Sequence, residues 1–337
     1  MSTIKVIELL GDGIGPELQE SLHTVSDSLP IKFEYIPYDL SVENREANGR
    51  ELFDSVGQAM QETKLAIKYP TITRTQSPNA IIRRLCNFSV ILRPVFSIKG
   101  IVSHFTEEVF LYIVRVATGG TYDDPGRMIG KDAAVSIRIV ERDPVRQAAR
   151  YAFDFARKHE NLSVTSSSKH TIQRATDGLF EAIVKEVHRD YPEIVHKVEL
   201  FDALLAKIIL KPEDYQVVLV LNEYGDFLSD MASGLIGSIG TGASGNFSFL
   251  DNDDVDIAMF DPAGGTAPDI AGQNKCNPTA MLLAFGMLLD HIDQIDLGHA
   301  LRMAILAAIA DGDCTADIGG KMSTREFTRA VIDRMKG

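Results

Sequence analysis

QVVLVLNEYGDFLSD, residues 216–230, passes from an apolar run into a polar one. Val217 to Leu221 is short and enriched in β-branched residues, which reads as a strand buried on both faces. Asn222 to Gly225 break that pattern, and the spacing predicts a helix opening near Asp226. Asp226 and Asp230 would then lie four residues apart on one helix face. Two carboxylates so placed repel unless a cation comes between them. Spacing alone leaves two readings open. One is a solvated helix face, the commoner case. The other is a site for a hard dication such as Mg²⁺ or Mn²⁺, which prefers carboxylate oxygen and leaves positions open for substrate.

The same alternation of strand and helix runs outward from this stretch. Ile4 to Leu10 reads as a strand ending in Gly11-Asp12-Gly13-Ile14-Gly15-Pro16-Glu17. Pro16 suits the first turn of a helix whose apolar face is Leu18, Leu22, Val25 and Leu29. A glycine loop between strand and helix can cradle phosphate, yet GDGIGP is not GxGxxG, so a purely structural turn competes with that reading. Ile31–Ile36 alternates as a strand, Leu52–Met60 suits a helix, and Leu65–Lys68 begins another strand. Such β-α-β-α order argues for a mostly parallel, layered sheet. Further on, EVFLYIVR and AVSIRIV are β-like and flank the turn-rich TGGTYDDPGRMIG. Val145, Ala148, Ala149, Ala152, Phe153 and Ala156 recur at helical spacing. Leu162–Thr165 leads as a strand into Ser166–Lys169, Leu179–Val187 is amphipathic, and Asp202 opens a helix. DPAGGTAPDIAG, residues 261–272, is a long shaped loop of the kind that carries function on a rigid scaffold. Helices at 280–289, 300–310 and 327–335 close the chain.

Composition narrows the function classes. A chain of 337 residues with 45% apolar and 24% charged residues is ordinary for a globular protein, of two domains or one large α/β unit. A formal charge of -13 supplies no basic footprint for nucleic acid. The apolar run Ala280–Leu289 is about half of what spans a bilayer, so no membrane partner is expected. Cys86, Cys276 and Cys314 are odd in number and lack CxxC spacing, which favours a reducing compartment and no zinc site. With MSTIKVIELLGDG running straight into a strand, a cytoplasmic location is expected. An acidic protein that handles an acidic metabolite must concentrate its arginines. Arg93 follows Val90-Ile91-Leu92 and precedes Pro94, and Arg115 ends the run Val109–Val114, so both close buried elements. Arg83 lies in SPNAIIRR, residues 77–84. The planar guanidinium suits such residues to clamping carboxylates.

GDGIGPE, SPNAIIRR, ILRPV, SSSKHTIQRATDGLF, NEYGDFLSD, GGTAPDIAGQNKCNP and CTADIGGKMST stand in this order along nearly the whole chain. Together they resemble the β-decarboxylating 2-hydroxy acid dehydrogenases of the isocitrate/isopropylmalate family. The resemblance implies an α/β fold of two layered domains with a cleft between them. A discontinuous cofactor domain, 1–90 plus 240–337, would face a small domain, 91–239, carrying the metal site and dimer interface. It implies NAD-linked, Mg²⁺- or Mn²⁺-dependent oxidative decarboxylation. Arg83, Arg93 and Arg115 would grip substrate carboxylates, Tyr122 would assist proton transfer, and Lys169 would act as general base. Asp202, Asp226 and Asp230 would hold the metal, with Lys169 and Asp202 reaching in from the neighbouring subunit of a homodimer. Gly265, Thr266, Ala267, Pro268, Asp269, Ile270 and Asn277 match the cofactor loop. Asp269 with Ile270 stands where NAD-using members read the ribose, and NADP-using members place a lysine and a tyrosine there. Ser77 and Asn79 fall where isocitrate enzymes hold the distal carboxylate, which favours isocitrate or, with Arg84 beside Arg83, homoisocitrate.

The chain also departs from the family. R-E-N-T-E-G-x-Y reads Arg115-Val116-Ala117-Thr118-Gly119-Gly120-Thr121-Tyr122, losing both acids and the asparagine. Gly264 replaces the histidine of the cofactor loop, and Thr171 replaces an asparagine. These losses leave room for two alternatives: a non-catalytic or regulatory homologue, and a dehydrogenase for an unusual 2-hydroxy acid such as isopropylmalate, malate or a tartrate-like substrate.

Overall fold

The computed structural model describes residues 3–105, 107–160, 162–237 and 239–336. The first strands and helices are β1 (Ile4–Leu10), α1 (Gly15–Asp27), β2 (Phe33–Asp39), α2 (Val42–Thr63), β3 (Leu65–Lys68), α3 (Pro78–Leu85) and β4 (Val90–Phe96). Then come β5 (Phe110–Val116), a hairpin of β6 (Arg127–Ile129) and β7 (Ala133–Val135), α4 (Arg142–Lys158), β8 (Val164–Ser168), α5 (Thr176–His188), β9 (His196–Leu200) and α6 (Phe201–Leu210). The chain ends with β10 (Val217–Val220), α7 (Asn222–Leu235), β11 (Ala243–Phe249), β12 (Val255–Pro262), α8 (Thr279–His291), α9 (Ile295–Ala310) and α10 (Thr324–Lys336).

One ten-stranded sheet takes all but the hairpin, in the order β2-β1-β3-β12-β11-β4-β5-β10-β8-β9. β2, β1, β3 and β12 are mutually parallel, as are β5, β10, β8 and β9. Three antiparallel pairings, β12–β11, β11–β4 and β4–β5, lie between these groups, so the two halves run in opposite senses. The mostly parallel sheet expected from the alternation holds within each half and fails at their junction. The chain enters the second half through β4 and β5 and returns through β11.

β10 shows why the layers form. All four of its residues are buried. Val217 and Leu219 pack into the cluster holding the small-residue face of α4, whereas Val218 and Val220 join Leu204 of α6 and Leu228 of α7 on the other side. A period of two along the strand therefore delivers one apolar set to each helical layer. α4 buries all six residues that its spacing marked.

Some boundaries differ from expectation. α7 opens at Asn222, one turn before Asp226, so Asn222–Gly225 are its first turn and not a linker. β2 starts at Phe33, and α2 runs from Val42 to Thr63, well beyond 52–60. AVSIRIV yields only the short exposed β7, followed by a bridge between Ile139 and Gly120. Among the described residues no helix is long and apolar enough to cross a membrane. Cys86, Cys276 and Cys314 are buried and unpaired.

The GDGIGP loop resolves to a structural clamp. A Cβ on Gly11 would lie 2.0 Å from the Pro70 carbonyl oxygen, and one on Gly13 2.0 Å from that of Thr266. The Ile14 amide donates to the Thr266 carbonyl at 2.9 Å. Asp12 accepts from the amides of Val42 and Ile72, each at 2.8 Å, and pairs with Arg45. The amides of Asp12 and Ile14 are thus spent on the Pro70 and Thr266 carbonyls, and the glycines admit that close main-chain approach. Gly13 also has φ +60°, so Gly13→Ala adds both a clash and left-handed strain. It should lower unfolding stability by about 1–3 kcal/mol in urea titration, and an unchanged midpoint would contradict this role.

Candidate active site

Arg93 lies opposite Ile113, and Arg115 opposite Ile91, across the β4–β5 pair. Opposed residues point to the same face, as do residues two apart on a strand, so both guanidiniums leave the sheet on one side. α3 covers that side with Asn79 and Arg83, and Ser77 caps its N-terminus by accepting from the Ala80 amide at 3.4 Å. α7 brings Asn222 and Asp226. These residues, with Thr118, Tyr122 and Asp123, line a cavity of about 310 Å³.

Asp226 is its electrostatic centre. One oxygen accepts from Arg93 at 3.1 Å and makes a short contact with Arg115, and the other accepts from the Tyr122 hydroxyl at 3.2 Å. Burial works to raise the Asp226 pKa, but Arg115 and Arg93 outweigh it and hold the group below the ordinary carboxylate value. Arg115 is itself only 1% exposed. Asn222 Oδ1 accepts from its Nε and Nη2 at 3.0 and 2.8 Å. Burial, then repulsion from Arg93 and Arg83, lowers its pKa to about 9. Arg83 is lowered by burial and by Arg93. Asp230, 3.5 Å from Arg93, is mostly exposed, and burial of the rest pushes its pKa up.

Asp226 thus pairs directly with Arg93 and Arg115, with Asp230 beside Arg93 and with Asp123 and Arg84 also on the cavity wall. Arg83 Nε, Arg93 Nε and Asn79 Oδ1 are buried and have no hydrogen-bond partner among the described residues. Buried groups of this kind call for a ligand, and two donors with one acceptor around an arginine-lined cavity fit an organic acid.

The structure therefore brings together Ser77, Asn79, Arg83, Arg93, Arg115, Tyr122 and Asp226, with Asp230 at the rim. It leaves Lys169 and Asp202 apart: Lys169 Nζ donates to Asp202 Oδ1 at 2.5 Å, and neither lines the cavity. Among the described residues no three His, Cys, Asp or Glu converge as a metal cage within one chain. Asp226 and Asp230 nonetheless offer hard oxygen one helical turn apart, the donor type that suits Mg²⁺ or Mn²⁺.

Gly265, Ala267, Ile270 and Asn277 line a second pocket of about 200 Å³ with Ile14, Leu18 and Met281. Its apolar walls suit a flat heterocycle. Thr266 spends its carbonyl on Ile14, while Pro268 and Asp269 are exposed on the loop. Asn277 Nδ2 donates to Asp317 at 2.9 Å.

Lys68 and Asn222 escape the sequence reading. Lys68, 2% exposed at the end of β3, donates to the Tyr69 carbonyl at 2.9 Å. Burial lowers its pKa to about 8, with Asp261 opposing and Arg83 and Arg45 adding to the shift. The signal is available, because LAIK ends an apolar strand in a cation just as VILR does. A base whose folded pKa is depressed binds fewer protons folded than unfolded between pH 8 and its ordinary value near 10.4, so stability rises with pH across that window. Wild-type protein should gain roughly 2–4 kcal/mol relative to Lys68→Met from pH 7.5 to 10.5 in denaturant titrations. Parallel curves would show that Lys68 is not desolvated.

Comparison with known proteins agrees with this geometry. The family described as isocitrate/isopropylmalate dehydrogenase matches residues 5–331. The mitochondrial subunit 2 of an NAD isocitrate dehydrogenase from Kluyveromyces lactis is 34% identical, over 99% of this chain and 90% of that protein. A mitochondrial regulatory subunit of an NAD isocitrate dehydrogenase from Dictyostelium discoideum is 33% identical, over 98% and 92%. The crystal structure of isocitrate dehydrogenase from Methylococcus capsulatus superposes with a TM-score of 0.91 at 31% identity, covering 99% of both chains. With its arginine-lined cavity at the strand reversal and its family match from end to end, this chain belongs to the isocitrate/isopropylmalate dehydrogenase family.

Proposed function

We propose that the chain carries out NAD-linked, Mg²⁺- or Mn²⁺-dependent oxidative decarboxylation of a 2-hydroxy acid, with isocitrate or homoisocitrate as the preferred substrate. The observation that carries this reading is the trio Arg83, Arg93 and Arg115 lining one cavity, with buried donors unused. The three arginines are what any acid of this family would meet, and the preference for isocitrate or homoisocitrate rests on the polar Ser77 and Asn79 on the cavity wall. Ser77 and Asn79 extend the polar wall toward the distal carboxylate.

Each residue then has a task. The arginines orient the acid through paired hydrogen bonds. Asp226 and Asp230, with Asp202 of the partner subunit, would hold a dication, which would supply Lewis-acid polarisation of the hydroxyl and of developing negative charge. Lys169 of the partner subunit takes the hydroxyl proton as hydride passes to NAD. Tyr122, whose pKa is raised mainly by burial and by Asp226, stays protonated at neutral pH and delivers a proton to the carbon that CO₂ leaves. Gly265 to Ile270 and Asn277 form the adenosine side of the NAD site, where the exposed Asp269 accepts from a ribose hydroxyl and repels a 2′-phosphate. Residues 1–90 with 240–337 form the cofactor half, and 91–239 the half carrying the metal site and dimer contacts. Three unpaired cysteines accord with a reducing compartment such as the cytoplasm.

The loss of both acids between Arg115 and Tyr122 favours a second reading, a regulatory subunit that binds the acid without turning it over. Purified protein should reduce NAD, followed by absorbance, with Mg²⁺ and isocitrate or homoisocitrate, and more slowly with isopropylmalate, malate or tartrate. No turnover on any of these, with calorimetric binding of the acid retained, would establish the regulatory reading instead. Lys169→Met should abolish turnover and leave the oligomer intact by sedimentation; unchanged rates would remove Lys169 as the base.

A further inference from the structure

Between the cavity and the Lys169 turn lies a buried charge network that the proposed chemistry does not use. Arg138 follows β7, and its neighbour Ile139 exchanges two main-chain hydrogen bonds with Gly120 at 2.6 and 3.0 Å. The Arg138 guanidinium makes a short contact with Glu223 and lies 3.1 Å from Asp177 Oδ1. It also stacks over the Tyr224 ring at 4.8 Å. Asp177 is fully buried and Glu223 is 3% exposed. Each acid fastens a segment that carries a reacting group. Glu223 Oε1 accepts from the Thr121 amide and hydroxyl at 3.3 and 3.4 Å, beside Tyr122. Asp177 Oδ2 accepts from the Lys169 amide at 2.7 Å and from the Tyr224 hydroxyl at 3.1 Å.

We infer that Glu223–Arg138–Asp177 is a positioning bridge that fixes the Tyr122 loop and the Lys169 turn relative to one another. The inference rests on the activity proposed above. The loop's sequence is fitted to the bridge. Gly119 and Gly120 have φ +74° and +71°, and a Cβ on Gly120 would lie 1.8 Å from Glu223 Oε2. A Cβ on Gly119 would meet the Ile139 carbonyl oxygen at 2.7 Å. Gly120 thus clears the space that the Glu223 carboxylate fills, Gly119 admits the Ile139 main chain, and helix α7 supplies the acid absent from 115–122. Arg138 suits the centre because its planar fork reaches two carboxylates at once, which a lysine cannot do with one nitrogen. In a site shared between two chains, the bridge ties the loop serving one cavity to the turn serving the other.

The test compares full-length wild type, Glu223→Gln, Arg138→Met and the triple variant Arg138→Met/Glu223→Gln/Asp177→Asn. Melting temperature is measured together with kcat and KM at saturating NAD and Mg²⁺. Arg138→Met strands the Glu223 and Asp177 carboxylates and should melt several degrees lower, whereas Glu223→Gln leaves Arg138 paired with Asp177 and should melt nearer to wild type. The kcat of both single variants should fall about 10–100-fold while KM for the acid stays within about threefold, since misplacement of reacting groups by an ångström costs about that much. The triple variant removes all three charges and should recover most of the melting temperature but not kcat. Recovery of kcat along with stability would reduce the bridge to packing, and wild-type kcat in the single variants would overturn it outright. A wild type inactive on every acid tested would instead sink the proposed function, and the positioning role with it.

Discussion

Like charge held together by too little opposite charge is the constraint on which this molecule turns. Arg83, Arg93 and Arg115 converge where the sheet reverses direction, and Asp226 is the acid at their centre. Folding must desolvate Arg115 almost completely, and the depressed guanidinium pKa records that cost. Apolar packing elsewhere bears the cost: β10 and α4 alone bury unbroken sets of Val, Ala and Phe on both sides of the sheet. Arg83 Nε and Arg93 Nε stay buried without a partner among the described residues. An anion that enters completes hydrogen bonds the free protein cannot make, so binding and relief of repulsion are one event.

The reversal of strand sense explains why the residues come from such distant places. A wholly parallel sheet joined by helices would send successive strand ends to one edge. Here β4 and β5 run against each other, so Arg93 and Arg115, far apart along the chain, stand side by side on one face. α3 arrives from the first half and α7 from the second, each covering that face with one polar stripe. The glycine turn after β1 serves the same geometry from further away. By gripping the main chain at Thr266 and, through Glu17, at Gly272 and Asn274, it holds the 262–278 loop against α1.

Legibility in the sequence follows the range of the forces involved. β3 is legible to the residue, and β10 to within one, because an apolar β-branched run between polar neighbours is a local signal. Arg93 and Arg115 are legible because a cation ending an apolar strand is a local anomaly. The start of α7 is not, because Asn-Glu-Tyr-Gly has turn chemistry. Its first turn is helical because Asn222 bonds Arg115 and the Gly119 carbonyl while Glu223 bonds Arg138, partners roughly a hundred positions away. No window of sequence contains them. Lys68 differs again: its signal is local and matches the one that marks Arg93, but a lysine ending a strand is ordinarily an exposed residue, and only packing shows that it is sealed in.

The pair Lys169 and Asp202 makes the strongest physical case for an assembly. A lysine and an aspartate in contact at a partly exposed site contribute little to stability, and neither approaches the cavity of its own chain. Around them the local structure is nonetheless rigid. The Lys169 amide is held by fully buried Asp177, and Ser168 beside it donates to Glu181 at 2.6 Å. Such firm backbone fixation is wasted on a surface ion pair and makes sense if the two side chains must meet something outside their own chain. Under the function proposed above, Lys169 and Asp202 of the partner subunit would bring a base and a further carboxylate to Asp226 and Asp230. That complementarity is one that two identical chains, or two related ones, would satisfy.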